Sequence, residues 1–179
     1  MLRDYQQRTI DQLYAWFSAG NKGNPCVVMP TGAGKSHIVA ALCKDAIQNW
    51  PETRILMLTH VRELISQNAE KMRLHWPGAP LGIYSAGLGS KRLDEPITFA
   101  GIQSIRSRAS QVGHIDLCII DECHLVSHKE EGGYRTFLAE LKAINPALRV
   151  VGLTATPYRL GHGLITDAPA LFHALIEPV

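Results

Sequence analysis

The chain has few cysteines, and their spacing gives them no shared role. Its 179 residues include four cysteines without a C-x-x-C pair, and three of the four lie inside apolar runs. This distribution is typical of small buried side chains in a reducing compartment. Cys118, Cys123, His124 and His128 are the residue types of a zinc site, but their spacing fits no standard zinc motif and Cys118 belongs to a core strand. We therefore expect no zinc in this chain.

Long hydrophobic runs and a strong charge bias are also missing. No run approaches the ~18 consecutive apolar residues of a membrane helix, and residues 1–6 lack the apolar segment of a signal peptide. We expect a soluble, cytoplasmic protein without a membrane partner. The net charge of +2 is too small to indicate a nucleic-acid partner, because a domain-wide basic bias is the usual electrostatic signature. Any prediction of nucleic-acid binding must therefore rest on local motifs.

Apolar residues are plentiful, and their pattern predicts the fold class. They make up 46% of the chain, which is ample for the core of one large domain or a tight pair of small ones. Continuous apolar runs predict buried strands at 26–28, 55–58, 81–84, 97–100, 115–120 and 150–153. Amphipathic stretches predict helices at about 4–18, from the glycine-containing loop to Pro51, from Thr59 to Pro77, near 103–105 and at 133–144. This alternation predicts an α/β fold with a mostly parallel central sheet and helices on both faces.

Local signals predict two helix starts and the end of the domain. Asp4 and Gln7 have the spacing of a capping box at the first helix, and Thr59 is a suitable cap for the third. Residues 160–179 are predicted to form a loop, a short helix and the beginning of a linker. We therefore assign one domain to residues 1–165 and a short helix with the start of a linker to residues 166–179.

A glycine-containing loop joins the first predicted strand to the second predicted helix. Residues 29–36 read Met-Pro-Thr-Gly-Ala-Gly-Lys-Ser. The two glycines let the backbone curl so that its N–H groups point inward, and the following helix N-terminus adds partial positive charge where an anion would sit. Lys35 would then reach the β- and γ-phosphates of a nucleotide, and Ser36 would bind Mg²⁺. Met29 stands where the general G-x-x-x-x-G-K-[ST] pattern has glycine, and the alternative is a simple turn with a surface lysine.

Two adjacent carboxylates, Asp121 and Glu122, follow the strongest predicted strand. Because the carboxyl ends of parallel strands share one edge of a sheet, we expect this pair to lie near the glycine-containing loop. Asp121 would hold Mg²⁺ through its water shell, and Glu122 would orient and deprotonate the water that attacks the γ-phosphate. The pair alone would also suit a helix cap. Beside the loop, it supplies the metal and water functions that the loop itself lacks.

Together these motifs resemble the first RecA-like domain of superfamily 2 helicases of the DEAD/DEAH-box type, over nearly the whole chain. Residues 30–36 resemble motif I, residues 121–124 resemble motif II in its D-E-x-H form, and residues 153–157 resemble motif III. The resemblance implies a RecA-like P-loop NTPase domain that uses ATP and Mg²⁺. In the family, motif III threonines, here Thr154 and Thr156, couple the motif II histidine, here His124, to the state of the nucleotide. In isolation the threonine segment would read as a polar turn.

Residues 3–6, Arg-Asp-Tyr-Gln, resemble the R-x-Y-Q form of the adenine-recognising motif. Gln6 would bond the adenine edge, and Arg3 would lie close to the base or the phosphates. The DEAD-box version also has an aromatic residue well upstream, for which this chain has no room, so strict adenine selectivity is not implied. The resemblance assigns catalysis to Lys35, Asp121, Glu122 and His124. It assigns nucleotide contacts to Arg3, Gln6, Thr31, Gly32, Ala33, Gly34, Lys35 and Ser36. The Mg²⁺ ligands that it implies are Ser36 and Asp121.

Residues 59–64 resemble motif Ia, and residues 101–104 resemble motif Ib, both of which contact the nucleic-acid backbone in the family. Arg62 lies in the first turn of its helix, where the macrodipole disfavours a cation, and either a phosphate ligand or the neighbouring Glu63 explains that placement. Motif Ib offers N–H and hydroxyl groups at a helix start. The implied contacts are His60, Arg62, Gly101, Gln103 and Ser104. Lys91, Arg92, Arg106 and Arg108 either extend this track or are ordinary solvated charges.

Within the superfamily, residues 61–64 and 152–161 most resemble RadD-like bacterial repair ATPases, and type I and type III restriction translocases share much of the pattern. The resemblance implies ATP hydrolysis coupled to movement on, or remodelling of, nucleic acid, with DNA favoured over RNA and a role in DNA repair. The alternatives are an ATP-switched clamp that does not unwind, a restriction-enzyme translocase subunit, and a small-molecule kinase. The carboxylate pair and the motif III segment argue against the kinase.

The family hydrolyses ATP between two RecA-like domains, and the second domain supplies an arginine finger from a Q-x-x-x-R-x-x-R segment. No such segment occurs in these 179 residues. An arginine finger is worth on the order of 10³ to 10⁵ in rate. We therefore expect a fragment of a longer chain, with a second RecA-like domain as its partner, that binds Mg·ATP but is nearly inactive alone.

Overall fold

Helices and strands alternate along the chain in the computed structural model, which describes residues 1–159, 163–166 and 171–177. The helices are α1 (Asp4–Ser18), α2 (Lys35–Asn49), α3 (Arg62–His75), α4 (Ile102–Ile105), α5 (Ala109–Val112) and α6 (His128–Ile144). The strands are β1 (Pro25–Val28), β2 (Ile55–Thr59), β3 (Leu81–Ser85), β4 (Ser90–Lys91), β5 (Ile97–Gly101), β6 (Leu117–Ile120), β7 (Arg149–Thr154), β8 (Tyr158–Arg159), β9 (Gly163–Leu164) and β10 (Ala174–Ile176). Among the described residues, no helix is long and apolar enough to cross a membrane.

Eight strands form one sheet in the order β10-β1-β7-β6-β2-β5-β3-β4, and β8 and β9 form a separate antiparallel pair. Within the large sheet every pairing is parallel except that of β3 with β4. The α/β prediction with a mostly parallel sheet is therefore confirmed. β1, β7 and β6 are direct neighbours, so the loops that follow these three strands meet at one edge of the sheet.

The central strands β2, β5 and β6 bury both of their faces, and this explains their continuous apolar sequences. In β6, Cys118 and Ile120 pack into the core beneath α4, α5 and α6, whereas Ile119 packs into the core beneath α1, α2 and α3. Successive side chains of a strand point to opposite faces, so both faces must be apolar when helices cover both.

Helix boundaries differ from the predictions where side-chain capping decides them. At α1 the Gln6 side chain accepts a hydrogen bond from the Arg3 N–H at 2.9 Å, so the capping pair is shifted by one residue from Asp4 and Gln7. α3 is preceded by Val61 rather than capped by Thr59. α6 begins at residue 128 instead of 133 because Ser127 and Glu130 form a capping box there, with the Ser127 hydroxyl donating to Glu130 Oε2 at 2.9 Å.

The C-terminal segment contributes a strand that the sequence analysis did not predict. β10 pairs in parallel with β1, in a register that places Leu175 beside Cys26. The Asn24 side chain donates a hydrogen bond to the Leu171 carbonyl at 2.9 Å. This bond helps to position the segment that precedes β10. The loop and helix predicted in this region fall largely on 160–162 and 167–170, which lie outside the described residues. The domain boundary at 165 stays a prediction.

Candidate active site

The loop between β1 and α2 has the backbone geometry that its glycines predict. Gly32 and Gly34 have φ values of 84° and 81°, in the left-handed region that glycine enters without strain. Gly34 is constrained a second way, because a Cβ at this position would overlap the Gln6 side-chain nitrogen. Met29, at the position of the missing first glycine, is a core residue that is only 2% exposed. Its side chain anchors the start of the loop to the sheet rather than shaping the turn.

Helix α1 braces this loop from the side. The Tyr5 hydroxyl and the Gln6 side-chain nitrogen both donate to the Ala33 carbonyl, at 2.7 and 3.1 Å. Gln6 is 4% exposed, and its oxygen already accepts the Arg3 N–H. The structure thus brings Gln6, one of the two predicted adenine-recognition residues, to the loop. Both polar atoms of the Gln6 amide bond to protein groups: the oxygen accepts the Arg3 N–H, and the nitrogen donates to the Ala33 carbonyl.

Lys35 lies between the two predicted catalytic carboxylates. Its ammonium is 2.8 Å from Asp121 Oδ1 and forms a second ion pair with Glu122 Oε1. Burial lowers the pKa of Lys35, but the charge and hydrogen bonds of Asp121 and Glu122 outweigh burial, and the net pKa lies above its ordinary value. Lys35 is therefore a fixed cation at neutral pH.

Glu122 has an unusual backbone conformation for a residue with a side chain. Its φ of 47° is positive, and it is the one non-glycine residue of the described chain with that property. Such a conformation costs about 1–3 kcal/mol and is retained only where the surrounding structure over-determines it. The Glu122 N–H bonds to Asp121 Oδ1 at 3.0 Å. The turn thus directs both carboxylates toward Lys35.

These groups line a cavity of about 360 Å³ together with Thr31, Gly32, Gly34, Ser36 and residues of α3. Mg²⁺ prefers hard oxygen ligands and one or two carboxylates, and the Ser36 hydroxyl and the Asp121 carboxylate offer these in one cavity. The Lys35 ammonium already brings a cation to the carboxylate pair. The donor set therefore fits Mg²⁺. The neighbour of Ser36 on α3 is His75, whose Nε2 lies 3.4 Å from the Ser36 hydroxyl.

One residue of the cavity was missed by the sequence analysis. Asn68, in the second turn of α3, donates from Nδ2 to Asp121 Oδ2 at 2.7 Å. The two residues are 53 positions apart. A single asparagine on a polar stretch of helix carries no sequence signal for this contact, which depends on how α3 packs against the sheet edge.

The motif III segment is hydrogen-bonded to the motif II histidine. His124 Nδ1 lies 2.7 Å from the Thr154 hydroxyl, which in turn donates to the Thr156 carbonyl at 2.8 Å and accepts the Thr156 N–H at 2.9 Å. When the Thr154 hydroxyl donates its single proton to the Thr156 carbonyl, His124 Nδ1 is the donor in the bond between His124 and Thr154. The same nitrogen is 3.5 Å from Glu122 Oε2. Thr154, Thr156 and His124 therefore form one network that ends at the Glu122 carboxylate.

The predicted nucleic-acid residues also come together, at the ends of the neighbouring strands β2 and β5. The Gln103 side chain donates to the His60 carbonyl at 3.1 Å, and the Ser104 hydroxyl accepts the Ala86 N–H at 3.1 Å. Gly101 lies so close to α3 that a Cβ there would be 3.1 Å from the Ile65 side chain. His60 is held by Glu130, with His60 Nε2 3.1 Å from Glu130 Oε1.

The cations near this edge differ in their availability. The Arg62 side chain is 60% exposed and lies 3.9 Å from Glu63, a long contact that leaves most of the guanidinium in solvent. Arg92, by contrast, bonds to Asp94 and Glu95 at 3.2 and 3.1 Å. Its charge is largely compensated, so Arg92 is a weaker candidate for a phosphate contact than Arg62.

Residues 1–159 match the family model described as "Type III restriction enzyme, res subunit". The chain belongs to this family. Among curated proteins, it is 29% identical over 157 residues to the ATP-dependent RNA helicase DHX58 of Mus musculus, covering 75% of this chain and 22% of that protein. It is also 29% identical over 175 residues to the DEAD-box ATP-dependent DNA helicase Fancm of Drosophila melanogaster, covering 88% and 11%. The chain thus spans about a fifth or less of the length of these relatives.

Solved structures show the same fold for this member of the res-subunit family. The UvsW helicase from bacteriophage T4 superposes with a TM-score of 0.72 at 21% identity, covering 98% of this chain and 60% of that one. The Hef helicase domain of Pyrococcus furiosus gives 0.68 at 23% identity, covering 87% and 33%. The predicted likeness to the RecA-like domain of superfamily 2 helicases is confirmed. The closer likeness to RadD-like repair ATPases stays a prediction.

Proposed function

We propose that this chain is the Mg·ATP-binding, first RecA-like domain of an ATP-hydrolysing helicase or translocase that moves on or remodels nucleic acid. The observation that carries the proposal is the ion-paired group of Lys35, Asp121 and Glu122 in a cavity lined by the glycine-containing loop. In the proposal, Lys35 is the phosphate-binding cation, Asp121 the metal-binding carboxylate and Glu122 the general base, and this arrangement would serve one γ-phosphate. The helicases named above support the activity, and for the whole protein it remains a proposal.

The chain's own residues suggest how the nucleotide would enter. Lys35 leaves the carboxylates and pairs with the β- and γ-phosphates, while loop N–H groups and the α2 N-terminus hold the phosphate oxygens. Ser36 and Asp121 would hold Mg²⁺, which would neutralise charge on the β- and γ-phosphates. Glu122, released from Lys35, orients the attacking water and accepts its proton. Gln6 would bond the adenine edge while keeping its bond to the loop carbonyl of Ala33, and Arg3 would lie close to the base or the phosphates.

The state of the nucleotide would reach the nucleic-acid edge through His124. A change in the position of Glu122 would reach His124, whose Nδ1 lies 3.5 Å from Glu122 Oε2, and through it Thr154 and Thr156. Motif III lies at the end of β7, which β6 separates from β2 and β5, the strands that carry the predicted contacts. In this proposal each cycle of ATP hydrolysis weakens and restores the contacts to the backbone of the nucleic acid. DNA is the favoured substrate, and DNA repair is the proposed role.

We expect this chain alone to hydrolyse ATP very slowly, even with nucleic acid present. It contains no Q-x-x-x-R-x-x-R segment, and an arginine finger from a second RecA-like domain is worth on the order of 10³ to 10⁵ in rate. Phosphate release measured with no nucleic acid, single-stranded DNA, duplex DNA and RNA tests this. A steady-state turnover of several per second by the chain alone would contradict it.

We expect Arg62→Ala to weaken nucleic-acid binding about fivefold, because an exposed ionic contact is worth roughly 1 kcal/mol. The loss should be similar for every sequence, and the slope of log affinity against log salt should fall by about one, as for a lost phosphate contact. Fluorescence anisotropy with labelled DNA and RNA measures both. Arg73→Ala, in the last turn of the same helix, is the matched control. An unchanged salt slope would mean that Arg62 pairs with Glu63 and makes no phosphate contact.

Two alternatives remain for the whole protein. An ATP-switched clamp would bind nucleic acid in a nucleotide-dependent manner without separating strands, and a strand-separation assay distinguishes it from a helicase. A restriction-enzyme translocase subunit is favoured by the family description itself. A translocase subunit of this kind would move along duplex DNA in an ATP-driven manner without unwinding it. The rate at which the protein displaces a third strand from a DNA triplex measures this movement.

A further inference from the structure

The carboxylate of Asp121 is almost fully buried and is held from two sides. It is 4% exposed. Its Oδ1 receives the Lys35 ammonium at 2.8 Å and the Glu122 N–H at 3.0 Å. Asn68 Nδ2 donates a hydrogen bond to Asp121 Oδ2 at 2.7 Å. Among the described residues, Asn68 is the donor to this oxygen. The amide nitrogen, and not the oxygen, must face Asp121, because two acceptors would repel.

The chemistry of asparagine suits this position. A buried carboxylate needs donors, and a second lysine on Oδ2 would add a charge that competes with a metal cation. The amide of Asn68 is neutral, so it orients the carboxylate without displacing the cation. It is also presented by a long helix, α3, whose buried residues Ile65, Ala69 and Met72 fix its position against the sheet.

The Asn68 contact gains importance when a nucleotide enters. In the proposed function Lys35 leaves Asp121 for the phosphates, which removes the charged donor from Oδ1. The Glu122 N–H is part of the same turn as Asp121 and moves with it. Asn68 is then the described side chain that ties the carboxylate to a separate element of the fold. A fixed carboxylate plane is what a hydrated Mg²⁺ requires, because Mg²⁺ demands near-ideal octahedral geometry.

We propose that Asn68 is a positioning residue that orients the Asp121 carboxylate for hydrated Mg²⁺, an inference that rests on the proposed Mg·ATP site. It acts through Asp121 and contacts neither the nucleotide nor the metal. The sequence motifs of the family resemblance do not include it, since its contact with Asp121 is made in three dimensions only.

The test is a Mg²⁺ titration of fluorescent ATP-analogue binding to this chain, with a parallel measurement in EDTA. Asn68→Ala should raise the Mg²⁺ concentration at half-saturation about tenfold, because a hydrogen bond to a charged group is lost. Binding in EDTA should change less than about twofold, since the phosphate contacts of the loop and Lys35 are untouched. A purely structural role would weaken both measurements together.

Two further variants make the result decisive. Asn68→Leu keeps the branched shape and the number of side-chain heavy atoms but removes the donor, and the apolar side chains of Leu64 and Met72 in the same cavity can accommodate leucine. Gln67→Ala removes an adjacent exposed amide and should behave as wild type. If both Asn68 variants fold, by thermal unfolding, and give the Gln67→Ala titration curve, the positioning role is wrong while the Mg·ATP site stands. If the unaltered chain shows no Mg²⁺-dependent binding, both the proposed function and this inference fail.

Discussion

Replacing Lys35 with alanine should reduce Mg·ATP binding by this chain about a hundredfold. The ammonium is the one side-chain cation that bonds to both Asp121 and Glu122 in the described structure, and it is the group that would pair with the β- and γ-phosphates. Truncating one partner of a largely desolvated charge pair costs about 2–5 kcal/mol, and 1.4 kcal/mol is a factor of ten. Titration with a fluorescent ATP analogue in excess Mg²⁺ measures the effect.

The control for Lys35→Ala is Lys44→Ala, an exposed lysine on the same helix, α2. It should bind nucleotide as the unaltered chain does. Thermal unfolding without nucleotide provides a second readout, because Lys35→Ala leaves the buried Asp121 carboxylate without its cation and should lower the melting temperature. Nucleotide affinity within about threefold of the unaltered chain would show that the loop does not bind phosphates through Lys35.

Replacing Glu122 with glutamine should lower ATP turnover by about 10² to 10⁴, the range for loss of a general base. Mg·ATP affinity should stay equal or rise slightly, because the neutral amide would no longer hold Lys35 in an ion pair that the phosphates must break. The assay is phosphate release by the whole protein that carries this domain, with saturating nucleic acid. Glutamine keeps the shape of the side chain, so the left-handed turn at this position should be retained.

Glu140→Gln, on the exposed face of α6, is the control for charge removal at Glu122. A split result, with turnover lost and binding kept, assigns Glu122 to the chemical step. Loss of both would mean that Glu122 mainly maintains the geometry of Lys35 and Asp121. Retention of turnover within about threefold would contradict the general-base role and direct attention to another proton acceptor.

Strand and helix order was predictable because burial leaves a direct trace in the sequence. A parallel strand covered on both faces must be apolar at every position, and β2 and β5 are buried throughout. Helix starts were less predictable, since they depend on side chains such as Ser127 and Glu130 that bond across the first turn. β10 was missed because its three residues are too few to show a period, and its place beside β1 depends on Asn24.

The sequence by itself determined which chemical groups are present and in which local context: a glycine-containing loop before a helix, a carboxylate pair after a strand, and a threonine segment after another. These signals are local because backbone conformation and short spacings carry them. Only the tertiary structure decided that Lys35 lies between Asp121 and Glu122, that Gln6 bonds the loop, and that Asn68 reaches Asp121. Such contacts join residues that are 27 to 87 positions apart. These contacts depend on the order of the strands in the sheet and on the packing of α3. No local pattern of residues predicts the strand order or the packing of α3.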